Sequence, residues 1–345
     1  MGKKTIVIFG ATGTLGLHFT DHLHEKLDPN EWRIVATGRK DVAFFDKQYG
    51  GEIGYHKLDI ADCASFEGLP TEDVYGIVHF AGALPAYMEG YDPYAYVNSN
   101  VLGTLNVLEY ARRVGAKKLL YTQTISDYNG YFGVLRELKD DMPRKVPFSG
   151  DHSVYAITKT CAEDLCWNYQ AEYGIQCYSF RLPNIYCYMP EAKTLYHDGK
   201  VAISSYRLMI RRAMAGEPLE VWGDPQAGMD LIYVKDFCQE CEKALMNPDA
   251  PTGTYNVGTG KMTSLDEFVH AIAEVYNPEG KPSEIIYRPE KHDCVNYFMN
   301  VDKARENLGY EPEYATARAM LEDYKKEMEL NRFAAFFEER WGTAR

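Results

Sequence analysis

The chain lacks an excess of positive charge: 50 Asp and Glu stand against 37 Lys and Arg, a net of −13. That excludes the basic footprint on which binding to a nucleic-acid backbone depends, and a small anionic substrate would need a local cluster of arginine or lysine. A long hydrophobic run is also missing near the start. The first one, Ile6 to Phe9, is far too short for a signal-peptide core or a membrane span. Met1-Gly2 does not open a myristoylation site, because Ile6 stands where that motif wants Ser or Thr. With no such run near the start, no membrane partner is expected, and the eight cysteines lack framework spacing, which predicts reduced thiols in a cytoplasm. There is no internal repeat and no low-complexity tract. With 46% hydrophobic and 25% charged residues over 345 positions, the composition is that of a globular protein with a sizeable core.

Apolar runs rich in Val, Ile, Phe and Tyr recur at Thr5 to Phe9, Arg33 to Thr37, Gly54 to Leu58, Gly76 to Phe80, Lys117 to Thr122 and Gln176 to Arg181. Stretches with helical periodicity separate most of them. Continuous apolar strands alternating with helices predict an α/β fold, a doubly wound parallel sheet of the Rossmann kind. After Leu182 the rhythm fails, and proline and glycine punctuate the chain through Gly228. The expected division is a dinucleotide-binding domain over 1–182, to which the chain returns at about 230–260 through Asp230 to Val234 and Gly253 to Val257. A smaller C-terminal substrate-binding lobe would comprise 183–229 and 261–345. Two long helices, Pro93 to Val114 and Val154 to Tyr173, are more apolar all round than solvent-facing helices, which predicts a homodimer.

Gly10-Ala-Thr12-Gly13-Thr14-Leu15-Gly16 begins at the end of the first strand and opens the first helix. Glycines there permit a tight turn and close backbone approach, while the helix N-terminus offers free N–H groups to a pyrophosphate. The second strand ends Thr37-Gly38-Arg39-Lys40, with no carboxylate before Asp41. An acid at this place holds the ribose hydroxyl of NAD, whereas Arg39 and Lys40 would attract the additional phosphate of NADP. Arg39 stacked on the adenine would suit either. Tyr155-Ala-Ile-Thr-Lys159 places a tyrosine and a lysine on one helix face. A nearby ammonium favours the phenolate, so Tyr155 would exchange a proton with a substrate hydroxyl that Thr124, in Tyr121-Thr122-Gln-Thr124, holds in place.

With Leu58-Asp59-Ile60, Val78-His-Phe80-Ala81-Gly82, Asn100 to Thr104, Arg181-Leu-Pro-Asn184, Ile232 to Asp236 and Tyr255 to Gly258, the sequence resembles the extended short-chain dehydrogenase/reductase family. The likeness is to its nucleotide-sugar epimerase and dehydratase branch, and it covers nearly the whole chain. It implies that Asp59 and Ile60 lie at the adenine and Asn100 near the nicotinamide, with Phe80, Ala81, Gly82 and Thr122 along the dinucleotide. Lys159 would hold the nicotinamide ribose, Asn184 would face the substrate's phosphates, and Arg288 would grip the diphosphate.

Three departures bear on that expectation. Dehydratases of the branch carry Thr-Asp-Glu where this chain has Thr124-Ile125-Ser126, and Asp127 stands one place too late to serve as the acid. Many relatives that hold a nucleotide diphosphate have arginine at the position of Met229. Either Arg207, Arg211, Arg212 or Arg288 compensates, or the substrate is not a standard nucleotide sugar. The missing acid after the second strand is the third departure.

Other tempting residues read as packing. Cys238 and Cys241 have knuckle spacing but fall in a helical run without a second pair, so no metal is expected. His18 and His22 are expected on a solvated helix face, and His79 inside the fourth strand as a core residue. The charged stretch from Gly130 to Gly150 is long enough to act as a cover, and Phe333, Phe336, Phe337 and Trp341 predict a terminal helix packed on its own domain.

The reading that follows is an NAD(P)-dependent nucleotide-sugar epimerase, 4-epimerase-like, that works by transient hydride transfer. The alternatives are an NADP-dependent net reductase or dehydrogenase, favoured by Arg39 and Met229, and a dinucleotide sensor without turnover, to which Thr124, Tyr155 and Lys159 would be superfluous.

Overall fold

The computed structural model describes residues 2–40, 43–85, 92–150, 152–190, 194–195 and 201–341. Six strands form where the apolar runs fall: β1 (Lys4–Phe9), β2 (Trp32–Gly38), β3 (Ile53–Lys57), β4 (Val74–His79), β5 (Lys118–Thr124) and β6 (Gln176–Leu182). A seventh, β7 (Gly253–Asn256), joins the edge beside β6. The order is β7-β6-β5-β4-β1-β2-β3, and every pair is parallel. The central strands carry their apolar residues on both faces because helices cover both faces. One cluster gathers Ile6, Ile8, Val78, Leu120 and Phe180 on one side, the other Val7, Phe9, Ile77, Leu119 and Cys177 on the opposite side. Strand order reverses between β1 and β4, so the carboxyl ends of these strands flank the crevice in which such sheets bind ligands.

Helix α1 (Thr14–Lys26) follows β1 directly. The expected helix from Pro93 is three pieces: α2 (Pro93–Tyr96), a π-helical turn over Val97–Leu102, and α3 (Gly103–Val114). Asp92 caps its start, accepting from the N–H groups of Tyr94 and Ala95, and Gly115 ends it in the left-handed region. α4 (Ser153–Tyr173) lies beside it and ends in the same way at Gly174. Both helices run past β4 and β5, which brings Asn100 and Tyr155 to the same end of the sheet.

The return to the sheet differs from the expectation. Ile232–Tyr233 pairs with Ile185–Tyr186 in a separate two-stranded ladder, and only β7 enters the main sheet. Asp230 is tied down just before this ladder. Its buried carboxylate accepts from Thr259 N (2.8 Å), Thr259 Oγ1 (2.7 Å), Gly260 N (3.2 Å) and Met299 N (3.2 Å), which ties this stretch to the turn after β7.

The stretch from Gly130 to Gly150 is tethered. The Tyr128 hydroxyl lies 2.9 Å from Lys139 O and 3.0 Å from Met142 O, and Glu137–Leu138 pairs in parallel with Phe298–Met299. His18 is not on a solvated face, because the chain end lies over it: Phe333 meets its ring edge-on at 5.0 Å and burial pulls its pKa down to about 4. His22 pairs with Glu242 at 2.7 Å. Phe333, Phe336 and Phe337 are buried, with Phe336 packed on Phe44 at 5.3 Å. The side chain of Trp341 falls outside the described residues, as does Asp41. Cys238 and Cys241 are buried in a helix, Val234–Met246. Among the described residues, no helix is long and apolar enough to cross a membrane.

Candidate active site

The turn between β1 and α1 uses its three glycines differently. Gly10 has φ +89°, and a Cβ there would lie 2.6 Å from Ala81 N, so the close approach to the end of β4 demands glycine. At Gly16 a Cβ would run into Gly10, 2.7 Å from its carbonyl carbon. At Gly13 an added Cβ meets only Gly10 O, at 3.1 Å. Protein packing therefore explains two of the glycines, and the third leaves open the space in front of the helix. Gly13 is also the N-cap of α1, no side chain caps the helix, and its first turn carries no acid. A pyrophosphate fits that place sterically and electrostatically.

The other expected dinucleotide residues border the same crevice end. Arg39 is exposed at the end of β2, just past Gly38, where a Cβ would come within 2.6 Å of the Thr12 methyl. Asp59 is exposed beyond β3, and buried Ile60 fills the space that Gly103 leaves open in α3. Phe80 leaves β4 packed between Phe19 and Phe237 at 5.5 and 5.3 Å. Ala81 and Gly82 continue past the strand, where Asn100 Oδ1 accepts from Ala83 N at 2.8 Å. Thr122 and Thr124 are both buried, and β5 extends to Thr124, two residues beyond its expected end. The Thr14 hydroxyl donates to Met189 Sδ at 2.8 Å and Leu15 packs against the core, so the first turn of α1 touches the segment after β6.

Thr124 and Tyr155 face one another. The Thr124 hydroxyl, 3.2 Å from Ser126 Oγ, is also near enough to the Tyr155 phenol to act on its charge, and the Tyr155 ring lies 6.0 Å from that of buried Tyr96. Lys159 is buried one turn further along α4, with its ammonium 4.1 Å over the ring of Tyr121. The electrostatics correct one expectation. Burial pushes the Tyr155 phenol up to about 12 against the lowering effect of Thr124, and the same cause pulls Lys159 down to about 7. Desolvation of both groups outweighs the attraction expected between an ammonium and a phenolate. The protein alone thus keeps the proton on Tyr155.

Asp127 is no free acid. It is buried in an ion pair with Arg181 at 3.0 Å. Asn184 is exposed just beyond β6. Arg288 donates through Nε to Glu220 Oε1 at 3.2 Å, so its charge is already partly matched. Arg207 donates to Cys187 O at 3.2 Å, and Met229 Sδ lies 4.0 Å from the Tyr186 hydroxyl. A cavity of about 380 Å³, lined in part by Phe132, Asp224, Asp293, Cys294 and Asn296, carries two carboxylates and no lysine or arginine. Sequence reasoning missed Tyr96, Tyr121 and the bonds of Asn100. A π-helical turn leaves no mark in periodicity, and aromatic residues at strand and helix positions read as core.

The profile of the NAD dependent epimerase/dehydratase family matches residues 6–258. The chain belongs to that family. UDP-glucuronic acid decarboxylase 5 of Arabidopsis thaliana is 30% identical over 311 residues, covering 89% of this chain and 84% of that one. A putative UDP-glucose 4-epimerase of Methanocaldococcus jannaschii is 25% identical, covering 89% and 93%. The crystal structure of UDP-glucuronic acid 4-epimerase from Bacillus cereus in complex with NAD superposes with a TM-score of 0.70 at 19% identity, covering 94% and 96%. This member of the epimerase/dehydratase family is therefore an NAD-dependent enzyme of the extended short-chain dehydrogenase/reductase type, with the Rossmann-like sheet of its relatives.

Proposed function

We propose that the chain is a UDP-sugar 4-epimerase. The observation that carries this reading is the approach of Thr124 to Tyr155 at the end of β5, with Lys159 one turn away and the glycine turn at the end of β1, two strands along the sheet. The relatives that act on UDP-sugars support the choice of substrate class.

In this reading Gly10, Gly13 and Gly16, with the open first turn of α1, hold the pyrophosphate of NAD. Arg39, Asp59 and Ile60 border its adenosine, and Phe80 to Gly82, Asn100, Thr122 and Lys159 its nicotinamide half. A bound oxidised dinucleotide supplies a hydride acceptor and a ring charge that favours the phenolate. Thr124 holds the oxygen of the sugar's 4-hydroxyl, and Tyr155 takes its proton as the hydride leaves carbon 4. Tyr155 gives the proton back when the hydride returns to the other face of the ketone. No net redox change results. Asn184 and Arg288 would serve the diphosphate, Arg288 by exchanging Glu220 for a phosphate oxygen.

A second reading is decarboxylation of a UDP-uronic acid, favoured by the 30% identity to the Arabidopsis enzyme. It shares the oxidation at carbon 4 and differs afterwards, because a ketone β to a carboxylate loses carbon dioxide. Incubation with UDP-glucose and UDP-glucuronic acid, followed by NMR, separates the two: a 4-epimer supports the first reading and a UDP-pentose the second. Neither product would overturn both.

Three finer assignments accompany this one. NAD is the cofactor, and titration of the emptied protein should give tighter binding of NAD than of NADP; the reverse would restore the net reductase suggested by Arg39. We assign residues 1–182 with 230–260 to the dinucleotide domain and 183–229 with 261–345 to the substrate lobe, although Phe333 and Phe336 pack back on His18 and Phe44 and Ile232–Tyr233 pairs with Ile185–Tyr186. Val97, Leu102 and Ile157 are 41–46% exposed on the two adjacent long helices, and we assign them to a homodimer face. Sedimentation as a monomer at working concentration would contradict that.

A further inference from the structure

Asn100 stands at the centre of a hydrogen-bonded series in which its Nδ2 also returns a bond to Ala83 O at 3.3 Å, and the donor at the Thr104 end can be assigned. The Thr104 hydroxyl has a single proton, which it gives to the carbonyl of Asn100 at 2.6 Å. Its oxygen therefore accepts from His79 Nε2, 2.8 Å away. Asn100 in turn accepts at Oδ1 from Ala83 N and donates from Nδ2 to Thr158 Oγ1 at 3.2 Å. Thr158 passes its own proton back to the carbonyls of Val154 (2.9 Å) and Tyr155 (3.0 Å). The series joins the segment beyond β4 to the helix that carries Tyr155 and Lys159.

Its middle lies in the π-helical turn Val97–Leu102, where Gly103 N reaches back to Asn98 O. Such turns occur mostly as single interruptions, often at functional sites. His79 is fully buried, and its Nδ1 has no partner among the described residues. Half of the imidazole's polarity is thus unsatisfied, a penalty that an apolar residue of similar size would not carry. Burial and the charge of Lys159 keep the ring neutral, which leaves the Nε2–H donated to Thr104 as the one polar service the ring performs.

We propose that His79 and Thr104 are positioning residues that fix the π-turn backbone, so that the Asn100 amide holds Ala83 at the nicotinamide end of the crevice. The inference rests on the dinucleotide reading given above, but its test need not. Threonine returning a bond to its own helix is ordinary; a buried histidine that locks that threonine, with the next side chain bridging to the Tyr155 helix, is not.

The test is hydrogen exchange at the Ala83 amide, read by mass spectrometry in the dinucleotide-free protein, together with NAD affinity. Thr104→Val removes the hydroxyl at constant shape, and His79→Leu removes the donor. Both are expected to speed exchange at Ala83 about tenfold or more, with the Gly10–Gly16 segment unchanged. NAD binding should weaken about tenfold, and Thr104→Ser should restore both quantities. Wild-type protection at Ala83 in either His79→Leu or Thr104→Val, or failure of Thr104→Ser to restore it, would overturn the proposal. Absence of any turnover of UDP-sugars would sink the epimerase reading and leave the exchange result to decide this one.

Discussion

Arg181 on β6 donates through Nε to both carboxylate oxygens of Asp127, at 3.0 and 3.1 Å, and both residues are buried. The guanidinium also lies 3.9 Å over the ring of Tyr128 and donates to Asn256 Oδ1 at 3.1 Å. β6 runs beside β5 with Leu182 opposite Thr124, so this pair anchors the turn directly after Thr124. It also engages the carboxylate of Asp127, which follows the Thr124-Ile125-Ser126 positions in the sequence. Removing one partner of such a buried pair leaves the other charge uncompensated. Asp127→Asn should therefore lose about 3–5 kcal/mol of stability in denaturant unfolding. A loss below about 1 kcal/mol, the range of exposed pairs, would mean that the pair is dispensable.

Tyr155→Phe keeps the ring against Tyr96 and removes only the proton carrier. Turnover should fall by about 10²–10⁴, with NAD affinity close to that of the wild type. Undiminished turnover in rapid-quench kinetics would remove Tyr155 from the mechanism.

Lys159 is held in the protein at a pKa of about 7 by burial. An unfolded lysine keeps its proton to about 10.4, so between these values the unfolded state binds more protons and stability rises with pH. Lys159→Met should raise the melting temperature at pH 6, and the gain should shrink as pH climbs towards about 10. A melting temperature lowered at every pH would show that the lysine contributes stability instead. Activity should be lost at all pH values.

Glu240 presents the opposite case. It is fully buried, neither carboxylate oxygen has a partner among the described residues, and burial raises its pKa well above the ordinary value. The folded protein holds that proton where the unfolded chain has released it, so stability falls as pH rises beyond about 4.3. Asp230 and Asp236, raised to about 6 and about 7 by burial, push the same way. Glu240→Gln should flatten the dependence, matching the wild type at pH 4 and melting higher at pH 8. A lower melting temperature at pH 8 would contradict the assignment.

Much of the arrangement at the carboxyl end of the sheet is legible in the sequence. The glycine turn and Thr124 are short motifs at the carboxyl ends of β1 and β5, Tyr155 and Lys159 share one face of α4, and six of the seven sheet strands lie where apolar runs fall. What periodicity could not carry was geometry between distant segments. The stretch around Asp230 looked like a sheet strand because it is apolar, yet its carboxylate is claimed by donors some 30 to 70 residues further on. His18 read as solvated because nothing local announces that Phe333 will cover it. The direction of the Tyr155 shift is hidden for a related reason: proximity of a lysine is visible in a motif, whereas desolvation of both groups is a property of the assembled fold.

The most direct test of the central claim uses UDP-glucose or UDP-glucuronic acid deuterated at carbon 4, with the product followed by NMR and the dinucleotide by absorbance. The account predicts a 4-epimer that retains deuterium at carbon 4, with no build-up of reduced dinucleotide. Deuterium lost to a reduced dinucleotide that accumulates in step with product would contradict it and identify a net oxidoreductase.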